Sequence, residues 1–387
     1  MFKWHWQLIK RYIETTSIYR HQQKQISLKP AVKVKGNVLL SYLSSPFQMS
    51  EEQLLSYTHT NYWECVQIAR TFLDRGYAVD VIDHKNQHFR PNRQYVCCID
   101  IHRNLERLSP LLLPECIKIL HITGAHWLFQ NQAEYTRLLA LQQRRGVALI
   151  PRRIAPAIAG IEHADYATIL GNRFTMETFR YAGKPLYRIP LSTTIQYPWP
   201  KEKDFEACRS RFLWLGSRGL VHKGLDLVLE AFADMPEYHL TVCGPVQKEQ
   251  DFERAYYREL YQTPNIRTVG WVDVTSSEFQ QILKTCIGLV YPSCSEGGGG
   301  SIVTCMHAGL IPLISYESSV DVGEFGIIFQ HSSIEHIQES VHFISSRPLS
   351  ELRQRSRAAW EFARTHHTRE RFAEEYRKFV TDVLHIP

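Results

Sequence analysis

Between Ile287 and Ser315 the sequence reads IGLVYPSCSEGGGGSIVTCMHAGLIPLIS. One carboxylate stands in it, Glu296, followed at once by Gly297, Gly298, Gly299 and Gly300. Glycines lack a Cβ, so their backbone can approach a ligand closely and adopt positive φ. Ser301 opens a compact apolar segment that stops at Gly309, a natural residue to follow a helix. A glycine loop feeding a helix N-terminus offers free N–H groups and the positive end of the helix dipole, which suits a phosphate or diphosphate. Glu296 at the mouth is an acceptor suited to sugar hydroxyls. The plainer reading of the stretch is a surface turn before a core helix.

A second group of residues points to the same chemistry. Arg218 and Lys223 lie five positions apart in GSRGLVHKG, after an apolar run that ends at Gly216 and before a helical pattern from Leu225 to Phe232. Two cations on a glycine-flanked turn can clamp a diphosphate; the alternative is a solvated turn with two surface charges. Farther upstream, the strand-like run Ile117 to Ile122 is followed by Thr123-Gly124-Ala125-His126. Residues just past the carboxyl end of a strand face the ligand crevice of an open α/β sheet, so His126 is a candidate site residue. His121 alternates with apolar neighbours and reads as buried.

These motifs, taken in order, resemble the donor-binding signature of the family 4 glycosyltransferases. Pro-Ser, two residues, Glu-Gly-x-Gly and a small-residue helix ending in Gly-x-x-Pro is one part of it; Gly-(x)-Arg, four residues, Lys-Gly and Leu-Asp-Leu is the other, with Ser217 as an extra residue. The resemblance covers about residues 210–330 well and the first half loosely. It implies a GT-B architecture, two Rossmann-like α/β domains facing each other across a cleft. It also implies transfer of a sugar, with retention, from a nucleotide-diphosphate donor, UDP- or GDP-sugar, to a glycan or lipid-linked acceptor. By resemblance Arg218 and Lys223 neutralise the diphosphate, Glu296 contacts the donor sugar, and backbone groups of Trp271 and Val272 contact the base. Gly216, Gly297 to Gly300, Ser301 and Thr304 complete the expected nucleotide-sugar site, and His126 stands near the reacting carbon. The family's second glutamate, eight positions after the first, falls on Thr304. A Thr hydroxyl cannot chelate a ribose diol as a carboxylate does. A decayed sugar-nucleotide or glycan-binding protein, and a sugar-nucleotide epimerase of the same fold, are therefore the competing readings.

Composition is consistent with a chain of this class. At 387 residues about two domains are expected. The sequence is 44% hydrophobic and 22% charged, ordinary for a globular protein. No 18-residue apolar run and no secretory h-region are visible, which predicts a cytoplasmic protein. Nine scattered cysteines without a CxxC pair predict free thiols rather than a zinc ribbon or disulfide framework. No D-x-D is present, and two cations with a helix N-terminus can serve the diphosphate, so neither a metal nor a further cofactor is expected. Of the net charge of +6, the first 35 residues carry +7, which leaves the body near neutral and unlike a nucleic-acid binder. That leader also holds Phe2, Trp4, Trp6, Leu8 and Ile9. It suits a peripheral membrane contact, or equally a loosely docked basic leader.

The elements that must position these residues follow from apolar periodicity. After the leader, 1–35, a first domain at 36–195 starts with the strand Val38 to Leu43, then a helical pattern through Trp63 to Leu73, then the strand Ala78 to Asp83. No G-x-G-x-x-G follows the first strand, which argues against ordinary NAD binding. Further strands are predicted at Tyr95–Ile101, Ile117–Ile122, Val147–Pro151, 164–170 and Leu186–Leu191, with a long helix from Trp127 to Arg145. A linker at 196–206 leads to a second domain at 207–367. The last helix, within 368–387, is expected to cross back to the first domain.

Overall fold

The computed structural model describes residues 25–384; the tryptophans and most of the basic residues of the leader lie outside that range. The chain folds into two α/β domains. The first holds the strands β1 (Ile26–Leu28), β2 (Gly36–Tyr42), β3 (Tyr77–Asp83), β4 (Cys97–Asp100), β5 (Ile117–Ile122), β6 (Tyr166–Ile169) and β7 (Leu186–Arg188) in the order β1-β3-β2-β4-β5-β6-β7. All pair in parallel except β1, which adds antiparallel to β3 through Ile26, Ser27 and Leu28. Residues 26–28, expected in the leader, thus close one edge of the sheet. Ser27 Oγ helps to fix this strand by donating to Asp80 at 2.6 Å.

The second domain holds β8 (Arg211–Leu215), β9 (His239–Cys243), β10 (Ile266–Gly270), β11 (Gly288–Tyr291), β12 (Ile311–Ser315) and β13 (Ile327–Phe329). Their order is β10-β9-β8-β11-β12-β13, all parallel. This is the doubly wound order in which chain progression reverses between the first and fourth strands. Strands covered on both faces should be apolar throughout, and the central ones are: β8, β11 and β12 are buried along nearly their whole length.

The predicted long helix forms at Trp127–Arg145 and ends at Gly146 with φ 68°, a left-handed stop that glycine takes without strain. The predicted strand Val147–Pro151 does not form. Its backbone joins no sheet and is held by carboxylates instead: Asp251 accepts from Ile150 N, and Glu134 accepts from Arg152 N just beyond. The helix Arg369–Val383 returns to the first domain and packs on the helix Thr60–Leu73. Phe372 lies edge-on to Trp63, and Arg75 donates to the Arg377 carbonyl and the Thr381 hydroxyl. All nine cysteines are free and buried.

Candidate active site

The reversal of strand order lies between β8 and β11, and ligands of open α/β sheets bind in the crevice at that point. The loops leaving these two strands are the two motif segments. They are held together by main-chain contacts, Cys294 N and Ser293 Oγ both donating to the His222 carbonyl at 2.8 and 3.2 Å. At the base of the crevice Lys223 Nζ donates to Glu296 Oε1 at 2.5 Å and to the Tyr291 hydroxyl at 2.9 Å. Tyr291 OH and Ser293 Oγ donate to the same carboxylate oxygen at 2.9 and 3.1 Å. Burial alone pushes the Glu296 carboxyl up, but the charges of Lys223, Arg153 and His222 outweigh it and hold the group at about 2. Glu296 is therefore a fixed carboxylate that one ammonium and two hydroxyls orient.

The glycine loop continues from Glu296 into the helix Gly300–His307. Gly299 caps it at φ 56°; Ile302 N donates to the Gly299 carbonyl at 2.8 Å, which leaves the amides of Gly300 and Ser301 without acceptors among the described residues, and Gly300 itself is exposed. This is the preformed end of a helix to which an anion is attracted. Gly297 meets the first domain: a Cβ there would stand 2.2 Å from the Thr123 carbonyl oxygen and 2.4 Å from Gly124 Cα.

Not every expected site residue gathers at this point. Arg218 is exposed, without a hydrogen bond or ion pair among the described residues. Two amides of its turn are already used, Gly219 N and Leu220 N donating to Glu249 at 2.5 and 3.2 Å. Thr304 Oγ1 donates back to the Gly300 carbonyl at 2.9 Å within its own helix. Gly216 N donates to the Cys243 carbonyl at the end of β8. Trp271, just past β10, is 64% exposed, and Val272 beside it is half-buried. His126 is the cap of the helix Trp127–Arg145: its Nδ1 accepts from Leu128 N at 3.3 Å and its Nε2 meets Tyr181 OH at 3.1 Å. Burial lowers its pKa. Both ring nitrogens are thus engaged inside the first domain, apart from the Lys223–Glu296 pair.

One pair that the sequence did not single out joins the domains. His222, next to Lys223, has Nδ1 at 2.6 Å from Glu134 Oε2 of the first domain and Nε2 at 2.6 Å from the Ser295 carbonyl. Both neighbours are acceptors, so both ring nitrogens must donate and the ring is an imidazolium. Burial works against that charge, but Cys294 and Glu134 reverse it and raise the pKa to about 9. The Glu134, His222 and Cys294 ligand-type atoms lie within 4.8 Å of one another. The 2.6 Å between His222 and Glu134 is a hydrogen-bond distance, shorter than two ligands of one tetrahedral ion would keep, so a proton joins them. Around this link Arg144 pairs with Asp226 and Glu230, Arg145 with Glu259, and Arg152 with Asp251, each from the first domain to the second.

Two α/β domains facing each other across a switch point form the architecture of the GT-B fold. Residues 209–360, nearly all of the second domain, match the family of glycosyl transferases group 1. Among solved structures, sucrose-phosphate synthase from Thermosynechococcus elongatus is similar at a TM-score of 0.61 and 13% identity, over 91% of this chain and 99% of that one. A glycosyltransferase from Rickettsia africae follows at 0.59 and 8%, over 91% and 100%. Anabaena HepE in complex with UDP-glucose follows at 0.56 and 12%, over 90% and 99%. No curated protein matches in sequence.

Proposed function

We propose that this enzyme moves a sugar from a nucleoside diphosphate donor, a UDP- or GDP-sugar, to a glycan or lipid-linked acceptor, with retention and without a metal ion. The observation that carries the reading is the ionised Glu296 held by Lys223 beside the open N-terminus of the helix Gly300–His307. The difficult event in such a transfer is departure of the nucleoside diphosphate, as charge builds on its phosphate oxygens. Lys223, Arg218 and the amides around Gly298 to Ser301 are the groups to stabilise that charge without reorganising. Glu296 orients the donor sugar through its hydroxyls. Arg218 has no partner among the described residues to give up, and its exposed side chain can swing onto a diphosphate. His126 keeps its place as a helix cap and positions the loop Thr123–Ala125 that faces Gly297. The HepE complex with UDP-glucose supports a uridine donor on this fold.

A second reading, a binding protein that has lost transfer, is favoured by Thr304. The carboxylate expected there is missing, and the hydroxyl present is spent on its own helix. A thermal-shift panel of UDP-, GDP-, ADP- and TDP-sugars, with and without Mg²⁺, followed by donor hydrolysis on whichever binds, separates the readings. A base-selective rise in melting temperature without Mg²⁺, with sugar release, is expected. Binding without turnover favours the second reading, and no shift with any donor overturns both.

A further inference from the structure

Arg152 and Arg153 stand side by side on the extended segment that enters the domain interface, and their surroundings differ. Arg152 pairs with Asp251 at 2.5 Å, although its Nε, like that of Arg153, is buried without an acceptor among the described residues. Arg153 has its main chain fixed on both sides: its N–H donates to Glu134 Oε1 at 3.1 Å, and its carbonyl accepts from Gln130 Nε2 at 2.5 Å. Its guanidinium pairs with no carboxylate among the described residues, and its Nε is buried without any acceptor. A buried charged donor without a partner is costly, so a group held in this way calls for an anion that arrives from outside.

Its position says which anion. The Arg153 stem crosses Gly219 of the Arg218–Lys223 turn, with Cγ and Cδ 2.5 and 3.0 Å from where a Cβ of that glycine would stand. Gly219 has φ +92°, so the residue that lets the arginine through is also one that only glycine adopts without strain. Beyond the crossing the charge is felt at Glu296, at Tyr291 and at His59, which Lys223 also reaches. Lys223 already holds a carboxylate, whereas Arg153 holds none, and the open helix N-terminus lies on the other side of Glu296.

We infer that Arg153 is a third cation for the donor diphosphate, supplied by the first domain, and that diphosphate binding therefore draws the two domains together. This rests on the donor reading above. Arg is the suited residue, because its planar fork meets phosphate oxygens in pairs, which an ammonium cannot do. Because the side chain reaches the crevice only when the segment 150–153 is seated on Glu134 and Asp251, the open enzyme would present two cations and the closed enzyme three.

The test is calorimetric titration of the full chain with UDP, UMP, GDP and GMP, for wild type, R153A, R153Q and R152A. For the base that binds, the preference for diphosphate over monophosphate is expected to fall about 10- to 100-fold in R153A, the range of a lost charge-assisted contact. R152A removes the ion pair with Asp251 but leaves the segment seated through its main chain, Ile150 N on Asp251 and Arg152 N and Arg153 N on Glu134, and should leave that ratio within about twofold. R153Q keeps the stem over Gly219 and reads the same ratio if R153A melts early. A wild-type ratio in both Arg153 variants overturns the assignment and leaves the donor reading intact. Wild type that binds neither diphosphate overturns both.

Discussion

Replacing His222 with Gln should remove the proton-dependent part of the domain closure, and its size can be worked out from the structure. His222 is fully buried between Glu134 and the Ser295 carbonyl. Its pKa rises from 6.5 to about 9 in the folded protein, with burial opposing and Cys294 and Glu134 prevailing. At about 1.4 kcal/mol per pH unit, this corresponds to about 3 kcal/mol in favour of the closed, folded state. The sign follows from proton counting. A raised pKa means that the native state keeps a proton that the unfolded chain has lost, so the contribution is complete below pH 6.5 and disappears as pH rises through 9. Urea unfolding of wild type and H222Q at intervals from pH 6 to pH 9.5, followed by tryptophan fluorescence, reads the difference directly. Wild type should exceed H222Q by about 3 kcal/mol at pH 6, and the gap should close towards pH 9.5. A gap constant across this range, or one that widens with pH, would refute an imidazolium at this position.

Two further outcomes test the crevice itself. Lys223→Ala should abolish turnover and cost about 3 kcal/mol, because Glu296 is left buried without its counter-ion, whereas Arg218→Ala should lower donor affinity with an unchanged melting temperature; equal turnover in wild type and both variants would sink the diphosphate roles. Gly297→Ala forces a methyl against the Thr123 carbonyl and should hold the domains apart, seen as a larger radius of gyration by small-angle scattering together with lost transfer; an unchanged radius would mean that the loop contact does not govern closure.

The chain's local order was legible without a structure, because it rests on short-range physics. Apolar runs flanked by glycine and proline mark β8, β11 and β12, and the last helix, expected within 368–387, forms at Arg369–Val383. The glycine loop and the GSRGLVHKG turn announced a crevice lined by Lys223 and Glu296, because each motif is complete within a few residues. Two local readings missed for the same reason. Val147–Pro151 has the composition of a strand, but Asp251 takes the Ile150 amide and Glu134 the Arg152 amide just beyond, and residues 26–28 look like leader but find an open edge on β3. Both outcomes depend on partners far away in sequence.

What only the tertiary structure decided is the join between the halves. Gln130, Glu134 and Arg137 recur at helical spacing, and that stripe was the available signal that a polar face of the helix Trp127–Arg145 meets a partner. Nothing in the spacing said that Glu134 would meet His222, 88 residues away, or that Arg137 would donate to the Pro292 carbonyl. His126 shows the converse: a position past a strand end suggested chemistry, and the fold engages its Nδ1 as a helix cap and its Nε2 with the Tyr181 hydroxyl. Sequence determines which groups can ionise and which segments can turn. Whether a charge is buried, paired or left waiting depends on which surfaces the two domains bring together, and burial and proximity are properties of the closed fold rather than of any stretch of chain.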